Sequence, residues 1–163
     1  MDNLYKYGLS VLESIKFTRK IGFIDDSLSI DENIKSILEK NKINFTSYKI
    51  IEKSNEKGFY MKWHLDDAQI INHKNKLDFK KVLKSQHFIS NKKSINYLHQ
   101  KPLYSLIIYF SEYNTDFTGG SFEFVDQKIF PQKNMYLLLD SNEVHRVNII
   151  TSGVRKNILI KFY

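Results

Sequence analysis

The spacing of apolar residues along the chain changes at Asn44. Before it, Ile34, Ile37 and Leu38 recur on one helical face within residues 31 to 40, and the acidic start and basic end of that stretch suit a helix dipole. After it come short runs of β type: residues 45 to 51, 58 to 64, 103 to 110, 121 to 125, 135 to 139, 144 to 150 and 154 to 163. Turn-forming stretches separate several of them, namely TDFTGGS, FPQKN and TSG. The pattern predicts a mainly β fold, largely antiparallel, with N-terminal helices in front of it.

Residues 67 to 102 break the pattern. Their periodicity is weak, and Lys74, Lys76, Lys80, Lys81, Lys84, Lys92 and Lys93 surround a few apolar positions. Such a segment is poorly suited to burial, and long loops in compact domains are commonly lids. It is expected to form a mobile flap outside the sheet core, with a short helix within it. No internal repeat, proline-rich linker or low-complexity tail marks a boundary. The expected organisation is one domain over residues 1 to 163, with 1 to 43 as helical support and 44 to 163 as the β core.

Composition and charge sharpen this picture. A chain of 163 residues, 42% of them hydrophobic, is long enough for one well-buried core and short for two. It has no cysteine, which excludes disulfides, thiolate metal sites and cysteine nucleophiles, so a metal would need nitrogen and oxygen ligands. The N-terminal residues lack the layout of a signal peptide, and no apolar run reaches the length of a membrane span, so an intracellular, cytoplasmic protein with no membrane partner is expected. The net charge of +7 raises the question of a nucleic-acid partner, but it comes from dispersed lysines, which read as a solvated surface. Only Arg19, Arg146 and Arg155 are arginines.

The candidate chemistry starts at WHLDD. In an extended segment, side chains at i and i+2 point the same way, so His64 and Asp66 can meet on one side of the backbone. An H-x-D pair is compatible with a metal site and equally with an exposed strand end. A third ligand would be a histidine from elsewhere. His73, His87 and His99 lie in the polar insertion, whereas His145 lies in a late β run. If Thr151, Ser152 and Gly153 form a three-residue hairpin loop, Ile149 faces Arg155 and the arginine shares a sheet face with His145. The two Cα atoms would then lie roughly 13 Å apart, at about 3.3 Å per residue. An arginine and a five-carbon dicarboxylate would fill that gap, whereas a two-residue loop would put Arg155 on the opposite face.

Taken in order, His64 and Asp66, the run SLIIYF, the run FTGGSFEF and the segment MYLLLDSNEVHRVNIITSGVRKNILIKFY resemble the Fe(II)- and 2-oxoglutarate-dependent dioxygenases of the prolyl 4-hydroxylase-like branch. The resemblance covers residues 45 to 163, and its most specific part is H-R-V-x-x-x-x-x-G-x-R coupled to the upstream GG and H-x-D. It implies a double-stranded β-helix, the cupin-like jelly roll. It implies His64, Asp66 and His145 as iron ligands, Arg155 as partner of the distal 2-oxoglutarate carboxylate, and Tyr109 as a hydrogen-bonding partner of the same group. Two imidazoles and a carboxylate leave open positions on Fe(II) for 2-oxoglutarate and O2, and a guanidinium fork suits a carboxylate better than a lysine does. Ascorbate is an accessory reductant for such an enzyme. The chain departs from the pattern in a longer segment between Asp66 and Tyr109 and in Ile149, which stands where a proline is usual.

The neighbouring residues carry bland readings beside the functional ones. Gly119 and Gly120 suit a tight turn, near the site or in a plain hairpin. Trp63 reads as a core aromatic or a pocket wall, Phe59 and Tyr60 as packing, and Asp67 and Arg146 as substrate-touching or ligand-orienting groups. The leading function is hydroxylation of a prolyl or other side chain in a protein or peptide. Oxidative demethylation of nucleic acid is the alternative, because Arg155, Lys156 and Asn157 resemble the R-x-N motif of alkylation-repair dioxygenases, although Lys161 stands where that family has a second arginine. A non-catalytic jelly-roll binding module is the third.

Overall fold

The structure, a computed structural model, describes residues 19–65, 68–69, 102–140 and 143–163. Among them the order is β1 (Arg19–Phe23), α1 (Ile30–Lys40), β2 (Tyr48–Glu56), β3 (Met61–Leu65), β4 (Ala68–Gln69), β5 (Tyr104–Tyr109), β6 (Phe117–Gly119), β7 (Phe122–Phe124), β8 (Lys128–Ile129), β9 (Met135–Asp140), β10 (His145–Val147) and β11 (Ile150–Phe162). The named strands pair antiparallel throughout.

Two sheets result. One runs β1-β9-β5-β11-β2, with β6 also paired to β11, and the other runs β4-β3-β10-β7-β8. Alternation along β5, β9 and β11 sends one set of side chains between the sheets and the other set outward. The inner set, Ile107, Tyr109, Leu137, Leu139 and Leu159, packs with Phe122, Phe124 and Val147 of the second sheet. The outer set, Leu106, Ile108, Leu138, Ile160 and Phe162, packs under Ile37 of α1. Both faces of the first sheet are therefore apolar, which is why β5 and β9 read as continuous hydrophobic runs. This two-layer antiparallel arrangement is consistent with a jelly roll.

Helix α1 starts where local chemistry requires it. The Ser29 hydroxyl accepts from the Glu32 N–H and the Glu32 carboxylate accepts from the Ser29 N–H, a reciprocal capping box. Buried Asn33 ties the preceding turn down by accepting from the Asp25 N–H and donating to the Asp25 carbonyl. No helix among the described residues is long and apolar enough to cross a membrane.

Three expectations change. Within residues 1 to 43, α1 is the single helix among the described residues, and Arg19–Phe23 is an edge strand on β9, with Ile21 opposite Leu137. That pairing is long-range, so no local periodicity announces it. Within the insertion 67 to 102, Ala68–Gln69 joins the sheet beside β3, while Asp66, Asp67 and residues 70 to 101, with His73, His87 and His99, lie outside the described residues, as do residues 1 to 18. The third correction is the hairpin at Thr151-Ser152-Gly153. Those residues lie inside β11, whose first part pairs with β6 and whose remainder pairs with β2 and β5. His145 and Arg155 consequently stand in different sheets, and the parity argument from a hairpin loop does not hold.

Gly153 makes the continuous strand possible. Its φ of +73° suits glycine, and a Cβ there would overlap the Asp116 carbonyl oxygen. The Val154 N–H donates to that same carbonyl, so the bend is held by a bond as well as by contact. Replacing Gly153 by alanine should destabilise the fold by more than about 2 kcal/mol, from backbone strain plus displacement of the β6 connection. Gly58→Ala is the control: φ is +93° but nothing lies within 4 Å of the added carbon, so the loss should stay near 1 kcal/mol. Denaturant unfolding of the two variants measures the difference, and equal losses would mean that the close approach at Gly153 is unimportant.

Candidate metal and cosubstrate site

The site begins with a register. His145 on β10 stands directly opposite His64 on β3, but two residues further along β10 Val147 stands opposite Met61, so β3 carries one extra residue between the pairs. Without that bulge Met61 and His64, three apart, would face opposite sides of the sheet. The bulge lets Met61 pack against the inner core while His64 is buried, and Lys62 and Trp63 turn outward. His64 and His145 are 6% and 4% exposed, with ring centres 4.3 Å apart. Phe122 of β7 stacks on His145 at 4.9 Å, nearly parallel, and fixes that ring from the other side.

The tautomers follow from the hydrogen bonds. His64 Nδ1 lies 2.6 Å from the Lys62 carbonyl and His145 Nδ1 lies 2.8 Å from the Glu143 carbonyl. A carbonyl only accepts, so each Nδ1 carries the proton, and in the neutral ring the lone pair resides on Nε2. That is the arrangement metal-binding histidines use. A cation about 2 Å from a ring nitrogen is roughly 3 Å from the ring centre, a distance compatible with one cation shared by two rings whose centres are 4.3 Å apart. The donors are imidazoles in a chain without cysteine, which suits a divalent first-row metal with open coordination positions. Asp66, the oxygen ligand expected from the sequence, lies outside the described residues.

Arg155 occupies the inner face of the first sheet. It is 3% exposed, its Nη1 donates to the Gly120 carbonyl at 2.8 Å, and its Nε has no partner among the described residues. No carboxylate among the described residues pairs with it, unlike Arg19 and Arg146. Its guanidinium carbon lies 5.8 Å from the Tyr109 ring centre and 5.9 Å from that of Phe59. Burial pushes the Arg155 pKa down, and the Tyr109 phenol beside it works in the opposite sense, yet a guanidinium stays cationic in a protein. Burial drives the Tyr109 hydroxyl up to about 12, against the pull of Arg155, so it is a neutral donor at any ordinary pH. A buried cation with an idle N–H beside a neutral phenol fits a carboxylate ligand, since uncompensated burial of charge is costly. Tyr109 and Phe122 belong to one core cluster, so the arginine and the histidines look into the same interior.

Gly120 is the residue whose role the sequence left open. Its φ is +64° and a Cβ would press on Ile150 and Phe117, and this close approach aims its carbonyl at Arg155. Two other expectations fail for one reason, the alternation of faces. Arg146 follows His145 and so lies outside, where its guanidinium covers the Trp63 ring at 4.8 Å and pairs with Glu123. Trp63 is therefore neither core nor pocket wall. Glu123 was not anticipated. Burial would raise its pKa, but hydrogen bonds from Arg146 and Lys128 outweigh this and hold it below the usual carboxylate range.

Residues 44–163 match the family model of the 2OG-Fe(II) oxygenase superfamily. No curated protein matches the chain by sequence. Among solved structures, the chain is similar to the collagen prolyl hydroxylase of Paramecium bursaria Chlorella virus-1 in complex with 2OG, at 14% identity and a TM-score of 0.51, covering 90% of this chain and 80% of that one. A truncated form of the same viral enzyme matches at 14% identity and a TM-score of 0.50, covering 100% of this chain and 86% of that one. At such identities the likeness is one of fold. The family model spans both histidines, Tyr109 and Arg155, and the chain therefore belongs to the 2OG-Fe(II) oxygenase superfamily, as an oxygenase dependent on Fe(II), 2-oxoglutarate and O2.

Proposed function

We propose that this oxygenase hydroxylates a side chain of a protein or peptide, with a prolyl residue as the first candidate. His64, Asp66 and His145 are the iron ligands in this reading, and Arg155 with Tyr109 holds the distal carboxylate of 2-oxoglutarate. The observation that carries it is Arg155, a guanidinium buried on the inner face with an unpartnered Nε and no carboxylate among the described residues. The polypeptide reading is supported by the similar viral enzyme, which is a collagen prolyl hydroxylase.

Each residue has a task that its geometry suits. The carbonyls of Lys62 and Glu143 hold the two imidazoles in the Nδ1–H form, so that Nε2 is presented to the metal without a proton to displace. Asp66, separated from His64 by one residue, contributes a negative charge that offsets part of the cation's. Bound Fe(II) supplies oxygen activation, coupled to oxidative decarboxylation of 2-oxoglutarate, for insertion into an unactivated C–H bond. Arg155, with Nη1 already given to Gly120, presents its Nε and Nη2 edge to the carboxylate as a fork. The apolar surround of Phe59 and Tyr109 excludes water from that ion pair and strengthens it.

Alanine at His64, Asp66 or His145 should weaken Fe(II) binding by more than about 100-fold, because even the partners behind metal ligands are worth about 10–100-fold. Metal titration of each variant checks this, and wild-type affinity in any one removes that residue from the ligand set. Arg155→Lys should weaken 2-oxoglutarate binding by about tenfold or more while leaving Fe(II) affinity unchanged, since a point charge replaces a two-pronged donor. Unaltered cosubstrate affinity would refute the assignment. For the substrate, succinate release should be stimulated by proline-containing peptides, with mass spectrometry showing one added oxygen. Stimulation by methylated oligonucleotides alone would replace the peptide reading with oxidative demethylation.

A further inference from the structure

The wall that carries Arg155 also carries two side-chain amides. Asn55 on β2 stands directly opposite Arg155, and Asn157 follows Arg155 by two residues on β11, opposite Tyr109 on β5. The two-residue period puts Arg155 and Asn157 on one face. It is the inner face, because Leu159 and Ile51, which continue it on β11 and β2, pack into the core between the sheets. Asn157 is 5% exposed. Three buried polar atoms of this group lack any hydrogen-bond partner among the described residues: Arg155 Nε, Asn55 Nδ2 and Asn157 Oδ1. Buried polar groups are normally satisfied, so three orphans on adjoining residues call for a common explanation.

The orphans are two donors and one acceptor, and one ligand carboxylate accounts for the two donors. We propose that Asn55 binds the distal carboxylate of 2-oxoglutarate together with Arg155 and Tyr109, and that Asn157 is the positioning residue that orients Asn55. The inference rests on the cosubstrate reading of Arg155 given above. An ionised carboxylate offers about four lone-pair positions. The Nε and Nη2 edge of Arg155 takes two, the Tyr109 hydroxyl takes the third, and one N–H of Asn55 takes the fourth. With the carboxylate bound, a turn of the Asn55 amide would bring its second N–H to Asn157 Oδ1, its diagonal neighbour across the strand pair, a separation of about 7–8 Å between Cα atoms that side chains can span. The carboxylate accepts only, which requires Asn55 to turn Nδ2 toward it, and Asn157 enforces that choice over the flipped amide.

The test measures ligand affinity in the full-length protein loaded with Fe(II) under anaerobic conditions, by calorimetry. Two ligands are compared: 2-oxoglutarate, and oxalate, which chelates a metal but has no distal carboxylate. Asn55→Ala should weaken 2-oxoglutarate about tenfold and leave oxalate unchanged, as expected for one hydrogen bond to a charged group. Asn55→Asp should weaken 2-oxoglutarate further, because it replaces a donor by a second anion that competes for Arg155. Asn157→Ala should weaken 2-oxoglutarate about threefold, and the double alanine variant should be no weaker than Asn55→Ala, since the second residue acts through the first. Loss of both ligands alike in Asn55→Ala, or of neither, would overturn the proposal. Arg155→Ala separates it from the reading beneath: wild-type 2-oxoglutarate affinity there defeats the cosubstrate assignment, whereas loss there with none in Asn55→Ala defeats the role of Asn55 alone.

Discussion

The pairing of one long strand, β11, organises the rest of the molecule. Its first residues lie against β6, from Val154 onward β2 lies on one side, and from Asn157 onward β5 lies on the other. Strand alternation then assigns its side chains without further choice: Ile158, Ile160 and Phe162 go under α1, while Arg155, Asn157 and Leu159 go between the sheets. The bend at Gly153 must occur where it does, because the chain has just crossed from the second sheet, where His145 is held, to the first. The step from β10 to β11 thereby links the two walls of the interior.

Where the two walls face each other, polar chemistry sits in an apolar frame. The histidines and Arg155 are all more than nine-tenths buried, yet each is held by a backbone carbonyl, of Lys62, Glu143 and Gly120 respectively. Carbonyl acceptors fix orientation without neutralising charge, so the guanidinium remains a cation in the interior. A carboxylate in place of the Gly120 carbonyl would satisfy Arg155 and leave nothing for a ligand to compensate.

The chain uses lysine almost everywhere, and its three arginines share one trait. Arg19 lies over Phe124, Arg146 over Trp63, and Arg155 beside Tyr109 and Phe59. A flat, weakly hydrated guanidinium can stack on a ring and still direct its hydrogen bonds sideways, which an ammonium cannot do. Two of the three combine the stack with carboxylates, Arg19 with Asp126 and Glu143, and Arg146 with Glu123. The third, Arg155, is buried beside its rings, with the Gly120 carbonyl as acceptor and no carboxylate partner among the described residues.

The sequence by itself determined the strand runs of the second half, helix α1, and the candidates His64, His145, Tyr109 and Arg155, because those depend on periodicity, on dipole-compatible charge and on a motif order that one dimension can hold. It put Arg155 on one sheet face with His145 by a hairpin that does not exist, whereas the two stand in different sheets. Only the tertiary structure decided β1, whose pairing with β9 spans more than a hundred residues and has no local signal. The same is true of the extra residue in β3 that turns Trp63 outward while Met61 and His64 both face in, since a bulge changes parity without changing any residue. Thr151-Ser152-Gly153 could turn or continue on local grounds alone. A glycine at positive φ serves both, and the contact with Asp116 from a distant loop is what selected the bent strand.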